Sequence, residues 1–312
     1  MQLIAAQPVS IHQSDNRLPD ASLILCSRNR PQLLADTVDS ILAGDHVPTE
    51  LIIVDDSDEP HPSLSCFTSP DSCNVRYLWT HSLGLSRANN DGVAVAQYSI
   101  LVFTQDDMLV APDWYATIVG ALAEAGEYSV VTGQVAPTSA EAEGGFAPST
   151  KEDAVPAVYT HAADEDILYV QNMALYRSAL HAIGGFDERL GPGTVFPAAE
   201  DNDFAFRLLR AGYRILYVPQ AVVYHRAWRS KNAYLPLRWG YGVARGGFYA
   251  KHLNLQDRHM LWRLIADIKG HLLSVPGKVV RQRQQAYGDI VLAVGILYGA
   301  IRWFLAPRKT LR

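Results

Sequence analysis

Two adjacent carboxylates, Asp106 and Asp107, close the apolar run Ile100-Leu101-Val102-Phe103 in the stretch FTQDDMLVAPDW, residues 103–114. Like charges at the end of a buried strand repel unless they are solvated or something positive sits beside them. Paired carboxylates are oxygen ligands of the kind Mg2+ and Mn2+ prefer, with diphosphate oxygens filling the other positions. The plainer account is a helix-capping acid ahead of Pro112. A second acidic strand end, VDDSD (54–58), offers Asp55 and Asp56 to a base or a sugar hydroxyl, or is simply an acidic turn. A third stretch, EDNDFAFRLLR (200–210), sets Glu200 and Asp201 at a helix N-terminus, where the dipole favours carboxylates. Asp203 and Arg207, four residues apart, read as a surface ion pair. Asp201 projects from another face, free to take a proton from an attacking hydroxyl. His225 ends AVVYH, and neutral imidazole is a good ligand for Mn2+-type ions.

The elements that position these groups alternate. SLILCS (22–27) reads as a buried strand, and Pro31 opens a helix to about Gly44. Strands follow at 50–56, 75–79, 98–103 and 128–133, with helices at 84–97 and from Pro112 to about Ala125. Strand–helix alternation predicts a mostly parallel sheet with helices on both faces, and such sheets bind ligands at the carboxyl ends of their strands. The stretch 134–166 reads as a long loop or lid. A strand at 167–177, a short helix, a helix at 199–212 and two short strands, YRILYV and AVVYH, complete this part.

The 312 residues are 48% apolar and 19% charged, enough for a sizeable core. Cys26 reads as core, Cys66 and Cys73 as residues of a polar loop; so sparse a set builds neither a disulfide framework nor a zinc site. The first ten residues, MQLIAAQPVS, do not read as a signal peptide. The longest apolar stretch, 290–301, is shorter than the roughly 20 residues that cross a bilayer. The net charge of −5 hides a split. Residues 1–225 carry 11 Lys/Arg and 29 Asp/Glu, a net of −18; residues 226–312 carry 16 and three, a net of +13.

Six segments, LILCSRNRPQLLADTVDSILAG, LIIVDDSD, GLSRANNDGV, LVFTQDDMLVAPDW, GGFDERLG and AEDNDFAFRLLRAGYRILYVPQAVVYH, stand in the order seen in family 2 glycosyltransferases. The resemblance covers roughly residues 20–228. It implies an α/β, GT-A fold: a Rossmann-like, mostly parallel central sheet flanked by helices. The nucleotide-binding half would take about 20–133 and the acceptor half about 134–228, within a catalytic domain of 1–228. It implies inverting transfer of a sugar from a UDP-, dTDP- or GDP-sugar to a glycan or lipid-linked acceptor, assisted by Mn2+ or Mg2+. Ser27, Asp55, Asp56, Arg87, Gln105 and Asp106 would then serve the donor nucleotide. Asp107 and His225 would hold the metal, and Asp201 would be the general base. Trp114, Gly185, Phe186, Asp187 and Glu200 would shape the sugar and acceptor pockets. Members often carry three acids in the metal segment, where Gln105 stands first here, and an Ala-Arg-Asn run in the helix after Gly84, where Asn89 stands in the middle.

Beyond 228 the resemblance ends, and residues 229–312 read as a basic, amphipathic helical extension. Its Trp residues alternate with Arg and Lys, and LWRLIADIKGHLLSV carries Leu261, Leu264, Ile265, Ile268, Leu272 and Leu273 on one helical face. This predicts peripheral attachment to an anionic membrane surface, on the inner face of the cell membrane, and no nucleic acid. The alternative of another class is a catalytically silent GT-A domain acting as a membrane-associated scaffold, which Gln105 favours. A nucleotidyltransferase lacks its glycine-rich phosphate loop here, and a dehydrogenase its GxGxxG after the first strand.

Overall fold

The computed structural model describes residues 18–61, 73–81, 83–139, 145–161, 166–226, 228–254 and 258–306. The first four strands are β1 (Ala21–Ser27), β2 (Glu50–Asp55), β3 (Asn74–Trp79) and β4 (Ile100–Gln105). Every residue of β1 and β2 is buried, which matches their unbroken apolar runs and a sheet covered on both faces. Helices α1 (Pro31–Leu42) and α2 (Leu85–Val95) make the crossovers. The strands pair in parallel, with Ser27 level with Asp55 and Cys26 level with Gln105. Their carboxyl ends therefore form one edge.

The second half adds β5 (Met108–Val110), α3 (Trp114–Ala125), β6 (Ser129–Pro137), β7 (Ala157–Tyr159), β8 (Met173–Tyr176), α4 (Arg177–Ile183), α5 (Glu200–Arg210) and β9 (Arg214–His225). The sheet runs β3-β2-β1-β4-β8-β6-β9-β5, with β7 on β9. It is parallel over the first four strands, as expected, and mixed beyond, because β8 runs antiparallel to both β4 and β6. The two short strands expected before His225 are one strand. Its register against β6 shifts between Gly133, opposite Val218, and Gln134, opposite Val222. Pro219, which has no N–H to give the ladder, lies in that bulge. The expected loop at 134–166 holds the end of β6 and all of β7; residues 140–144 and 162–165 of it lie outside the described set. Cys73 is buried rather than in a polar loop, and Cys66 lies outside the described residues.

Three helices follow: α6 (Tyr234–Lys251), α7 (His259–Lys278) and α8 (Arg283–Leu305). The 23 residues of α8 exceed the apolar stretch visible in the sequence, and by length and composition it is the one described helix that can cross a membrane. Glycines seat it on α6. A Cβ on Gly242 would lie 2.5 Å from the Leu292 carbonyl oxygen, one on Gly246 2.1 Å from that of Ile296, and one on Gly299 2.0 Å from that of Val243. Only backbones without side chains approach so closely. A core of its own, with Phe196, Val243, Phe248, Leu292 and Ile296, joins these helices to the segment ahead of α5.

Candidate active site

Asp106 and Asp107 sit where β4 ends, and both are buried. A resident cation lies between them. The Arg30 guanidinium donates from Nε to Asp106 Oδ2 at 3.1 Å and from Nη1 to Asp107 Oδ2 at 2.8 Å. Its Nη2 approaches Asp106 Oδ1 to 2.6 Å, close enough for an ion pair though poorly aligned for a hydrogen bond. Ser27 Oγ donates to Asp106 Oδ2 at 2.7 Å, and Thr37 Oγ1 to the Asp106 carbonyl at 2.7 Å. Burial raises the Asp106 carboxyl to about 6 even against the pull of Arg30. Burial also opposes ionisation of Asp107, but His225 and Arg30 outweigh it and hold that carboxyl at about 2. The neighbours thus differ: one carboxyl is poised to protonate, the other stays anionic.

His225 reaches Asp107 through the pairing of β9 with β5, which sets it opposite Met108. Its Nε2 lies 3.7 Å from Asp107 Oδ2. Asp107 Oδ1 and His225 Nδ1 are both buried without a hydrogen-bond partner. Orphaned polar atoms of this kind call for a ligand, and one carboxylate plus one imidazole suits a Mn2+-type ion. Among the described residues no three of His, Cys, Asp and Glu gather into a metal-binding group. The chain thus fits a cation that takes its remaining ligands from a bound anion or water.

Asp201 comes to the same edge from α5. Its Oδ1 accepts from the Val170 amide at 3.3 Å. Val170 opens the short turn before β8, whose Met173 pairs with Phe103 of β4, so this anchor lies beside the end of β4. Ala199, just ahead, is held in the left-handed region at φ 66°. Asn29 (φ 54°) beside Arg30 and Leu83 (φ 51°) beside Gly84 share that strained conformation. Burial and the Glu200 charge raise the Asp201 carboxyl well above its ordinary range. Glu200 is raised to about 7 by burial, and its Oε2 has no hydrogen-bond partner. It packs on Gly191, where a Cβ would lie 3.3 Å from its carboxyl carbon. Two such carboxyls can accept a proton near neutral pH.

The other expected site residues divide. Asp55 accepts from the Tyr77 hydroxyl (2.5 Å), from the Ser57 amide (3.0 Å) and from the His61 amide (3.3 Å). Burial and this bond push the Tyr77 phenol up to about 12. Asp56 accepts from the Leu83 and Gly84 amides, each at 2.9 Å, and so fixes the entry to α2. Both therefore shape the cleft wall through the backbone. Gln105 is half-buried at the rim. Arg87 pairs with Glu188 at 2.8 Å, and Asn90 exchanges hydrogen bonds with both backbone groups of Phe186, so α2 clamps the loop containing Gly185. Two expectations need correction. Trp114 is fully buried and spends its indole N–H on Asn172 Oδ1 at 2.8 Å, so its ring offers no surface to a ligand. Phe186 is buried too, stacked on Phe204 at 4.3 Å between ring centroids.

Asp203 corrects a third. Its pair with Arg207, at 2.8 Å, is buried, not superficial: Asp203 is 1% exposed. Lys251 Nζ lies 2.6 Å from Asp203 Oδ1 and 2.7 Å from Asp187 Oδ2, and His252 Nε2 lies 2.7 Å from Asp203 Oδ1. Arg189 also chelates Asp187 through Nε and Nη2. The end of α6, outside the expected catalytic domain, thus joins the Asp187 loop to the helix that carries Asp201. Arg30 and Lys251 are the site residues that sequence reasoning missed. Arg30 was findable from its place in SRNRP, right after β1; Lys251 carries no local signal.

The profile of the family described as "Glycosyl transferase family 2" matches residues 22–171, and that of "Glycosyl transferase family group 2" matches residues 99–305. The chain is similar to the glucosyl-dolichyl phosphate glucuronosyltransferase of Haloferax volcanii, 24% identical over 223 residues, which are 68% of this chain and 71% of that one. It is similar to the pre-mycofactocin glycosyltransferase of Mycobacterium tuberculosis, 25% identical over 234 residues, 69% of this chain but 46% of that one. Among solved structures, the mannosyltransferase PcManGT of Pyrobaculum calidifontis, in complex with GDP-Man and Mn2+, superposes with a TM-score of 0.63 at 18% identity, over 96% of this chain and 90% of its own. GalNAc-T7 with UDP, GalNAc and Mn2+ superposes at 0.53 and 18% identity, over 79% of this chain and 54% of its own. These likenesses show the GT-A fold.

Proposed function

The chain belongs to the family 2 glycosyltransferases, and from that premise we propose an inverting transfer of one sugar from a nucleoside-diphosphate donor to a hydroxyl of a glycan or lipid-linked acceptor. The observation that carries this reading is the placement of Asp201 and Glu200 at the start of α5, with Asp201 anchored on the Val170 amide beside the carboxylates that end β4. Asp201 is the base. It takes the proton of the acceptor hydroxyl as that oxygen bonds to the sugar C1 and the C1–O bond to the diphosphate breaks. A single displacement of this kind inverts the anomeric centre. Glu200, when ionised, adds to burial in raising the affinity of Asp201 for a proton. Ser27, Asp55, Asp56, Arg87, Gln105 and Asp106 wall the donor side, and the Gly185–Asp187 loop walls the acceptor side.

Asp107 and His225 would hold a divalent cation, Mn2+ or Mg2+, which when bound neutralises charge gathering on the departing nucleotide. Arg30 carries fixed positive charge into an otherwise acidic cleft and serves the same anion. The donor is a UDP-, dTDP- or GDP-sugar. The protein works at the cytoplasmic face of the membrane, attached peripherally through its basic helices. Membership in a family of transferases weighs against the silent-scaffold alternative.

Nucleotide release by the full chain, from a panel of these donors with Mn2+ or Mg2+, tests the reading. One donor class should turn over, faster with acceptor. Absence of both turnover and a thermal shift with every donor would sink it.

A further inference from the structure

We propose that the outward faces of α7 and α8 form a monotopic seat for an anionic bilayer, on which the protein lies with no helix crossing. This rests on the membrane placement above and gives it a surface and a depth.

Exposed apolar side chains gather on these helices. Of 25 large hydrophobic residues exposed among the described ones, 15 fall between Leu261 and Leu305. Trp262 is 62% exposed, Leu273 69%, Val280 78%, Ile301 62%, Phe304 66% and Leu305 77%. A patch of this extent marks a contact surface. The face expected on α7 is divided: Leu264 and Ile268 pack inward, while Leu261, Ile265, Leu272 and Leu273 point out.

Charge selects the occupant. Arg258, Lys269, Arg281 and Arg283 are exposed on or beside α7 and α8, with Arg263 and Arg302 half-buried among them. The described acids of this segment, Asp267 and Asp289, are turned inward. Asp267 accepts from Tyr249 at 2.9 Å and pairs with Arg245 at 3.4 Å. Asp289 accepts from Arg238 (2.8 Å), Ser274 (2.7 Å) and Lys278 (2.6 Å). Exposed cations at both ends of an apolar face, with the two described acids paired on the inner side, complement anionic headgroups over acyl chains.

Packing sets the depth. The inner side of α8 is sealed on α6 by the glycine contacts, and Trp303 lies 5.1 Å from Phe196 and under the Arg189 guanidinium at 3.8 Å. A crossing α8 would leave that seam and carry Asp289 and its partners into hydrocarbon, at high cost. Only the outer side is available to lipid. The same contacts put the seat next to the Asp187 loop, a position suited to an acceptor held in the membrane.

The test uses the full chain and flotation with phosphatidylcholine vesicles, with and without phosphatidylglycerol. We expect binding at least ~10-fold stronger to the anionic vesicles and weakened by salt. Brominated lipid should quench tryptophan fluorescence, and Trp262→Phe should remove part of that quenching. Leu273→Glu with Ile301→Glu should cut binding ~10-fold or more, leaving thermal stability and nucleotide release in solution unchanged. Cysteines at Gln282→Cys and Ala306→Cys should both label from outside sealed vesicles. Three results overturn the proposal: no binding to anionic vesicles at low salt, protection of one of the two cysteines, or a wild-type dimer that the double glutamate variant splits into monomers. Flotation reads the seat and nucleotide release reads the cleft, so either can fail alone.

Discussion

Arg30 Nη1 lies 2.8 Å from Asp107 Oδ2, the carboxylate facing His225, so a side-chain cation and a metal ion would compete for one anion. Replacing Arg30 by Met leaves the Asp106–Asp107 pair without its counter-ion. We expect the variant to melt a few degrees lower in chelator, since two buried carboxylates then lose their half-exposed counter-ion. Mn2+ should restore much of that loss. Direct titration without donor should show tighter Mn2+ binding than in the wild type; unchanged affinity would place the ion elsewhere.

Asp201→Asn keeps the shape of the side chain and removes its proton affinity. Transfer should fall by about 10²–10⁴, the usual weight of a general base. The thermal shift with donor should persist, because the donor-side residues are untouched. Full turnover by this variant would remove Asp201 from the reaction.

The raised carboxyls also set a pH dependence. Asp201 must be ionised to act, so kcat/KM should rise with pH toward neutrality, on a limb well above the usual carboxylate range. Glu200→Gln removes the charge that helps raise Asp201, and the limb should move to lower pH. Stability runs the other way. A carboxyl whose folded pKa is raised favours the fold while protonated, and that contribution fades as pH climbs from its unfolded value, near 4, to about 7 for Glu200. At pH 8 the Glu200→Gln variant should therefore melt above the wild type. Scans at pH 5 and 8 measure the crossover.

Lys251→Met removes the cation shared by Asp187 and Asp203. These carboxyls are held low against burial, Asp187 mainly by Arg189 and Lys251 and Asp203 mainly by His252 and Lys251. We expect a loss of about 3 kcal/mol in denaturant unfolding and a drop in turnover with little change in donor affinity. Lys251→Arg should recover part of the turnover.

Gly299→Val drives a side chain into the Val243 carbonyl, where even a Cβ stands at 2.0 Å. The α6–α8 seam should open, with a clear fall in melting temperature. Gly270→Ala on α7 is the matched control: its Cβ meets nothing within 4 Å, so it should be neutral or stabilising by up to about 1 kcal/mol.

The strand-end acids were legible because runs such as Ile100–Phe103 can only be buried and must surface somewhere. The parallel strands of the first half followed from the same runs. What sequence could not supply was the destination of long side chains. SRNRP places Arg30 at the end of β1, but it does not say which of the nearby acids the side chain folds back over. Trp114 has the chemistry of a sugar platform, yet α3 turns it into the core, where Asn172 takes its N–H. Asp289 and three glycines, Gly288, Gly295 and Gly299, break up the apolar signal of α8, and the same glycines are what let it pack. Lys251 reaches Asp203 across 48 positions and Asp187 across 64, separations that no local pattern encodes.

The place of β8 also has a cost in time. Strand β4 is flanked by β1, made long before, and by β8, whose first residue follows the end of β4 by 67 intervening positions. At about 5–20 residues per second, a nascent chain holds one sticky flank of its innermost strand open for roughly 3–13 seconds. Counted from the emergence of β4, that unpaired flank is open to a second newborn chain until β8 follows it out.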